Sequence, residues 1–156
     1  MIAQKYGRIV SISSVRSILG MSKDYIAYCT SKGAVNMYTK QIACEWAKYG
    51  ITCNVVAPTF TRTRMNSFML DDPEFYENLV SRIPLGRICR VEDIAAATVY
   101  LASDAASFIT GQVLGVDGGL TAIQWLRRAR RWTASSGSCC RRWRKATSSS
   151  MAATRT

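Results

Sequence analysis

Three short segments rich in β-branched residues are separated by connections that are too long for hairpins. They cover residues 8–13, 51–57 and 112–116, and Asp117-Gly118-Gly119 closes the last one. Strands joined by long, helix-containing connections pair in parallel, since an antiparallel pair needs only a short turn. The sequence therefore predicts an α/β protein with a doubly wound parallel sheet.

The connections carry helical patterns. Residues 24–49 have apolar side chains at spacings of three and four, which predicts one apolar stripe, and Gly50 is a typical C-terminal stop. That stripe consists of Val35, Tyr38, Ile42, Trp46 and Tyr49. Asp72-Pro73-Glu74 predicts the start of a further helix. Residues 91–102 predict another, whose inner face carries Ile94, Ala97, Thr98 and Leu101.

One pair of residues on the long helix suggests chemistry. Tyr28 and Lys32 are four apart, which places them one turn apart on the same helix face. An ammonium group beside a phenol favours the phenolate, so such a tyrosine can exchange a proton with a carbonyl or alcohol oxygen. Ser14 ends the preceding strand, where its hydroxyl could bind the same oxygen. Taken separately, a Tyr-x-x-x-Lys pair is more often a solvated surface pair, and a serine there is more often a turn residue.

An ordered series of motifs resembles the classical short-chain dehydrogenases/reductases, most closely the gluconate and sugar dehydrogenases and the 3-oxoacyl-acyl-carrier-protein reductases. The resemblance extends over about residues 1–122. The motifs are ISSVRSILG, Tyr28-Cys29-Thr30-Ser31-Lys32, Gly50-Ile51-Thr52-Cys53-Asn54-Val55-Val56-Ala57-Pro58, Ile83-Pro84-Leu85-Gly86-Arg87, Glu92-Asp93-Ile94-Ala95, Ile109-Thr110-Gly111-Gln112 and Val116-Asp117-Gly118-Gly119.

The resemblance implies a catalytic set. Ser14 would orient and polarise the substrate carbonyl, and Tyr28 would act as general acid in reduction or base in oxidation. Lys32 would support Tyr28 and hydrogen-bond the nicotinamide ribose. The implied substrate is a small carbonyl or alcohol compound. The helix that carries Tyr28 would pack against its counterpart in a homodimer or tetramer.

The resemblance also implies a cofactor, either NAD or NADP. Tyr28, Lys32, Pro58, Thr59, Thr61 and Thr63 occupy the positions that contact it in this family. Thr59 departs from the pattern, because the family most often has glycine after the proline. The family's glycine-rich phosphate loop has no match either, so the resemblance implies the C-terminal half of a Rossmann-like domain.

The positive charge is concentrated at one end of the chain. Residues 1–120 hold 12 Lys and Arg and all 10 acidic residues, whereas the remaining basic residues all follow them. We therefore expect two regions, a partial domain over residues 1–122 and a disordered basic tail over residues 123–156. Such a tail could bind polyanions. Translation in another reading frame, or readthrough, explains its composition better, since that composition cannot build a packed core.

The composition narrows the remaining function classes. The six cysteines show no C-x-x-C spacing and the chain has no histidine, so no metal site is predicted. We expect a cytoplasmic protein that has no membrane association and binds no nucleic acid specifically. The predicted function is hydride transfer between NAD(P) and a carbonyl or alcohol substrate. The alternatives are an inactive fragment of such an enzyme or polyanion binding through the tail.

Overall fold

Seven regular elements follow one another in the computed structural model, which describes residues 1–21 and 24–123. The strands are β1 (Gly7–Ile12), β2 (Ile51–Pro58) and β3 (Val113–Val116); the helices are α1 (Ile26–Trp46), α2 (Ser67–Leu70), α3 (Pro73–Val80) and α4 (Val91–Ala102). Single turns of 3-10 helix cover Val15–Ser17, Ala47–Tyr49 and Asp104–Ala106.

The three strands form one parallel sheet in the order β1-β2-β3. Gly7 of β1 pairs with Ile51, and Val55 of β2 pairs with Val113. The predicted parallel α/β sheet is therefore confirmed. Because all three strands run the same way, β1 and β2 end at the same edge of the sheet.

Side chains that alternate along the strands divide the core between the two faces of the sheet. Ile51 and Cys53 pack with Ile42 and Ala43 of α1 on one face. Val56 packs with Leu101 of α4 and with Ala106 on the other. Every residue of β2 is buried, since helices cover both of its faces and strands flank both of its edges. This is the doubly wound arrangement that the sequence predicts.

Helix α1 ends as the sequence predicts, although its buried face differs. Gly50 adopts a left-handed conformation with φ of 70°, and a Cβ there would lie 2.5 Å from the Lys5 carbonyl oxygen. Tyr38 of the apolar stripe does not face the sheet, because that side chain is 65% exposed and the buried position is Thr39. The helix turns its sheet-facing surface by one residue there, since Thr39 reaches Ser11 of β1 with its hydroxyl, at 3.1 Å between the oxygens.

The two later helices also begin where their sequences indicate. Asp72 caps α3 by accepting a hydrogen bond from the Glu74 backbone N–H at 3.1 Å, with Pro73 in the first turn. Helix α4 has the predicted bounds, and Ile94, Ala97 and Leu101 contribute to the core beside it.

The expected basic tail lies outside the described residues, apart from Ile123. Within residues 1–21 and 24–123, no helix combines the length and the apolar composition that crossing a bilayer requires.

A fully buried asparagine connects β2 to the segment that leads into β3. The Asn54 side chain donates to the Ile109 carbonyl oxygen at 2.7 Å and accepts from the Gln112 backbone N–H at 3.1 Å. Both backbone groups lie in the partly buried turn that places β3 beside β2. The amide therefore provides two hydrogen bonds that an apolar side chain cannot replace.

We expect the substitution Asn54→Ala to lower the free energy of unfolding by about 2 to 3 kcal/mol, because it leaves two partly buried backbone groups without their side-chain partner. Urea denaturation of the full chain measures the change. Asn78→Ala on the exposed side of α3 is the matched control, with an expected change within about 0.5 kcal/mol. Equal effects of the two substitutions would contradict this role for Asn54.

Candidate active site

Ser14 lies just beyond β1, at the edge of the sheet where β1 and β2 both end. Its backbone is extended, and its hydroxyl oxygen caps the following turn by accepting from the Arg16 backbone N–H at 3.2 Å. Serine suits this position because its short hydroxyl satisfies an otherwise free N–H of the turn. The side chain is nearly buried and keeps its own hydroxyl proton for another partner.

Tyr28 and Lys32 lie in the first turns of α1 and share a face, as their spacing predicts. The Lys32 ammonium nitrogen is 5.9 Å from the centre of the Tyr28 ring. It also donates to the carbonyl oxygen of Ile12, the last residue of β1, at 3.3 Å. Lys32 therefore connects the helix to the strand end that precedes Ser14.

Three further polar contacts hold α1 against β1 and the loop that follows. Ser13 donates to the Lys32 carbonyl oxygen at 3.0 Å, and Asn36 donates to the Ser17 hydroxyl oxygen at 2.7 Å. The contact between Thr39 and Ser11 is the third. These contacts set how far α1 can slide along the strand, so they position Tyr28 relative to Ser14. The sequence could have indicated two of these contacts, because Asn36 and Thr39 are polar residues on the helix face that meets the serine-rich strand.

A cavity of about 290 Å³ opens at this edge of the sheet, and its lining includes Ser14 and Tyr28. Pro58, Thr59 and Thr61 line it as well. The structure thus brings together five of the seven predicted site residues. Lys32 and Thr63 are not among the residues that line the cavity. Lys32 lies beside it, in contact with Tyr28, which does line it.

The segment after β2 is held from both sides. The Thr59 backbone N–H donates to Val116 of β3 at 3.2 Å, and Cys89 donates its N–H to the Phe60 carbonyl oxygen at 3.0 Å. Asn66 donates to the Thr61 carbonyl oxygen and accepts from the Thr63 backbone N–H, both at 2.8 Å. These bonds fix the course of residues 59–63, of which Thr59, Phe60 and Thr61 line the cavity.

Two side-chain contacts connect the segment after β2 to the region of α2 and α3. The ring of Phe60, which lines the cavity, meets the ring of Phe75 in α3 edge to face, with centres 5.8 Å apart. Arg62 pairs with Asp71 after α2 at 2.7 Å. An aromatic contact and an ion pair therefore hold the segment that follows β2 against α3 and the residue after α2.

Sequence reasoning missed Arg16, which also lines the cavity. Its guanidinium donates to the Gly20 carbonyl oxygen at 3.3 Å. Burial lowers the pKa of Arg16, and the positive charge of Arg82 lowers it further. The sequence does show an arginine two residues after the candidate serine. Whether that side chain lines the cavity depends on the turn that Ser14 caps, which the sequence does not reveal.

A second cavity, of about 540 Å³, lies on the other side of Thr59. Arg87 and Asp93 contribute to its wall and form a bidentate pair, with nitrogen–oxygen distances of 2.6 and 3.0 Å. Hydrogen bonds from the Arg87 side chain and the Arg90 backbone lower the pKa of Asp93 to about 2. The pair connects the loop before α4 to the first turn of that helix.

A family model described as enoyl-(acyl carrier protein) reductase matches residues 1–121. A tropinone reductase homolog from Arabidopsis thaliana is 44% identical over 116 residues. An uncharacterised oxidoreductase from Mycobacterium tuberculosis is 45% identical over 120 residues. Each of these two alignments covers 74% of this chain and 44% of the relative, so the chain spans about half the length of the curated relatives it matches.

Solved structures show the same fold. A gluconate 5-dehydrogenase from Burkholderia cenocepacia, in complex with NADP and tartrate, is 42% identical with a TM-score of 0.72, over 79% of this chain and 48% of that one. An NAD(P)-dependent gluconate 5-dehydrogenase from Beutenbergia cavernae with bound NADP, described as putative in its source, is 42% identical with a TM-score of 0.75. That match covers 79% of this chain and 49% of the other.

The Arg87–Asp93 pair predicts that the fold loses stability in acid. Because folding lowers the pKa of Asp93 to about 2, the pair stabilises the fold fully above the unfolded carboxyl pKa of about 4. This contribution disappears as the pH falls through about 2. We expect Asp93→Asn to lower the urea midpoint at pH 6 and to reduce the loss of stability between about pH 4 and pH 2.

The control for this prediction is Glu92→Gln, which changes an exposed acid in the same helical turn. Urea denaturation of both variants across this pH range makes the comparison. The assignment is wrong if Asp93→Asn retains the full acid sensitivity of the unsubstituted chain.

Proposed function

Because the chain belongs to the short-chain dehydrogenase/reductase family, we propose that it takes part in hydride transfer between a nicotinamide cofactor and a carbonyl or alcohol substrate. The family and the neighbouring structures are those of oxidoreductases. The reaction and the residues that carry it are our proposal, since the matched relatives are about twice as long as the aligned segment.

The observation that carries this proposal is the shared cavity. Ser14 and Tyr28 come from different elements, and both contribute to one pocket of about 290 Å³ beside the segment after β2. A serine and a tyrosine hydroxyl that face the same small space can both bind one substrate oxygen. Two hydroxyls without a lysine near the tyrosine would support this chemistry less well, and Lys32 is near Tyr28.

Each side chain has a role that fits its surroundings. The Ser14 oxygen accepts from the Arg16 N–H, so its proton is free to bind the substrate carbonyl oxygen and polarise it. Tyr28 donates a proton to that oxygen during reduction and takes it back during oxidation. The Lys32 ammonium nitrogen lies 5.9 Å from the centre of the Tyr28 ring, where it can help to orient that side chain.

The donors at the rim of the cavity fit a nicotinamide nucleotide. Lys32 uses one N–H on Ile12 and keeps others for ribose hydroxyls, while the Thr61 and Thr63 side chains can reach polar cofactor groups after β2. The cofactor supplies the hydride that adds to the substrate carbon. Two neighbouring structures are described with bound NADP, which supports NAD or NADP as the cofactor here. Pro58 and Thr59 would form the adjoining wall.

An oligomer is part of this proposal. Ile26, Met37 and Tyr38 of α1 expose 85%, 62% and 65% of their surfaces on the helix that carries Tyr28. Burial of these side chains against a second copy of α1 would stabilise a dimer and hold that helix more firmly.

We expect Lys32→Ala to weaken NADPH binding by about ten-fold, because it removes charged donors to the ribose. Tyr28→Phe should leave that affinity nearly unchanged and lower turnover about 10²- to 10⁴-fold, because it removes the proton donor. Fluorescence titration of the full chain with NADH and NADPH measures binding. Turnover is measured with a panel of sugar alcohols and hydroxy acids.

The matched control is Lys40→Ala, which removes an exposed lysine from the same helix. This variant should bind and react like the unsubstituted chain. If the full chain, folded by circular dichroism, binds neither dinucleotide, the hydride-transfer proposal is wrong for this chain.

A further inference from the structure

Arg16 is the one charged residue among the described residues that line the cavity with Ser14 and Tyr28. It lies in the turn of 3-10 helix that Ser14 caps, only two residues after the serine. Its charge is close enough to the Tyr25 and Tyr28 phenols to interact with them. Arg16 therefore shares one cavity with the two hydroxyls to which we assign the substrate oxygen.

Within residues 1–21 and 24–123, no acidic side chain forms an ion pair with this arginine. All ten acidic side chains lie within residues 1–21 and 24–123, and the ion pairs formed there use Arg8, Arg62 and Arg87. Among the described residues, the Arg16 side chain makes one hydrogen bond, to the Gly20 carbonyl oxygen. A guanidinium has five N–H donors in a planar fork, so the part of the chain that the structure describes uses only a minority of the donors of this half-buried group.

A second arginine increases the positive potential. Arg82 follows α3, and its charge acts on Arg16 in the repulsive direction. Two half-buried guanidinium groups without an intervening acid repel each other, whereas an anion between or beside them turns that repulsion into attraction. Guanidinium groups bind carboxylates in a bidentate manner, which selects both the charge and the orientation of the ligand.

We propose that Arg16 binds a carboxylate of the substrate, with Arg82 adding positive potential, so that the site takes a hydroxy acid or oxo acid. This inference rests on the proposed hydride-transfer function, because Ser14 and Tyr28 place the reacting oxygen in the same cavity. It favours an acid over a neutral sugar, ketone or acyl thioester. The cavity volume of about 290 Å³ suits a small acid.

The test compares two ligands that differ only at one end of the carbon chain, where one has a carboxylate and the other a neutral hydroxymethyl group. D-gluconate is a six-carbon hydroxy acid, and D-glucitol is the neutral alcohol with the same carbon chain. Isothermal titration calorimetry of the full chain, without cofactor, measures both affinities. We expect gluconate to bind about ten- to a hundred-fold more tightly than glucitol, the range typical of a charge-assisted hydrogen-bond pair.

The variants assign that preference to a residue. Arg16→Gln should reduce the preference for gluconate to less than about three-fold, while Arg16→Lys should keep part of it because the charge remains. Arg64→Gln, which removes an exposed arginine after the Thr63 segment, is the matched control and should keep the full preference. Circular dichroism and urea denaturation verify that each variant is folded.

Several results would overturn the inference. They are equal affinities for the two ligands, no binding of gluconate, or a preference that survives Arg16→Gln. NADPH titration of Arg16→Gln is a further measurement. If this variant loses more affinity for NADPH than for gluconate, Arg16 binds a cofactor phosphate and the carboxylate inference is wrong. A chain that prefers gluconate through Arg16 but binds no dinucleotide would contradict the hydride-transfer proposal instead.

Discussion

The pairing of β2 with a parallel strand on each side decides where every other element can lie. Strands β1 and β3 occupy its two edges, and helices α1 and α4 cover its two faces, so β2 is buried along its whole length. Parallel pairing brings the ends of β1 and β2 to one edge of the sheet. Ser14 and the segment after Pro58 meet there for that reason, although they are far apart in the chain.

The sheet alone does not position the tyrosine. Helix α1 presents a mixed surface to the sheet, and its polar residues Asn36 and Thr39, together with the Lys32 backbone, contact serines of β1 and the following loop. Each such hydrogen bond contributes about 1 kcal/mol, which is small beside the burial of Ile42 and Ala43. Their directionality matters more, since apolar packing tolerates sliding and a hydrogen bond does not. The helix register, and with it the place of Tyr28, depends on these polar contacts.

The electrostatics of the cavity follow from the same geometry. The turn capped by Ser14 directs Arg16 toward the space beside Tyr28, and the segment after α3 brings Arg82 near it. Among the described residues, the acidic groups that pair with arginines are Asp71, Asp93 and Asp104, and their partners are arginines other than Arg16. The cavity therefore combines two hydroxyls that can bind an uncharged oxygen with one guanidinium that can bind a carboxylate. This combination relates the proposed reaction to hydroxy acids and oxo acids as substrates.

Local sequence determined the elements of this protein, because strand propensity, helix caps and Gly50 act over a few residues. The bounds of α4, the Asp72 cap and the parallel sheet all followed from such signals. The apolar pattern of α1 does not reveal that Tyr38 is exposed while Thr39 finds a polar partner on β1. Only the tertiary structure decided that Arg16 enters the cavity while Lys32 stays at its rim, since both outcomes depend on how α1 packs across the sheet edge.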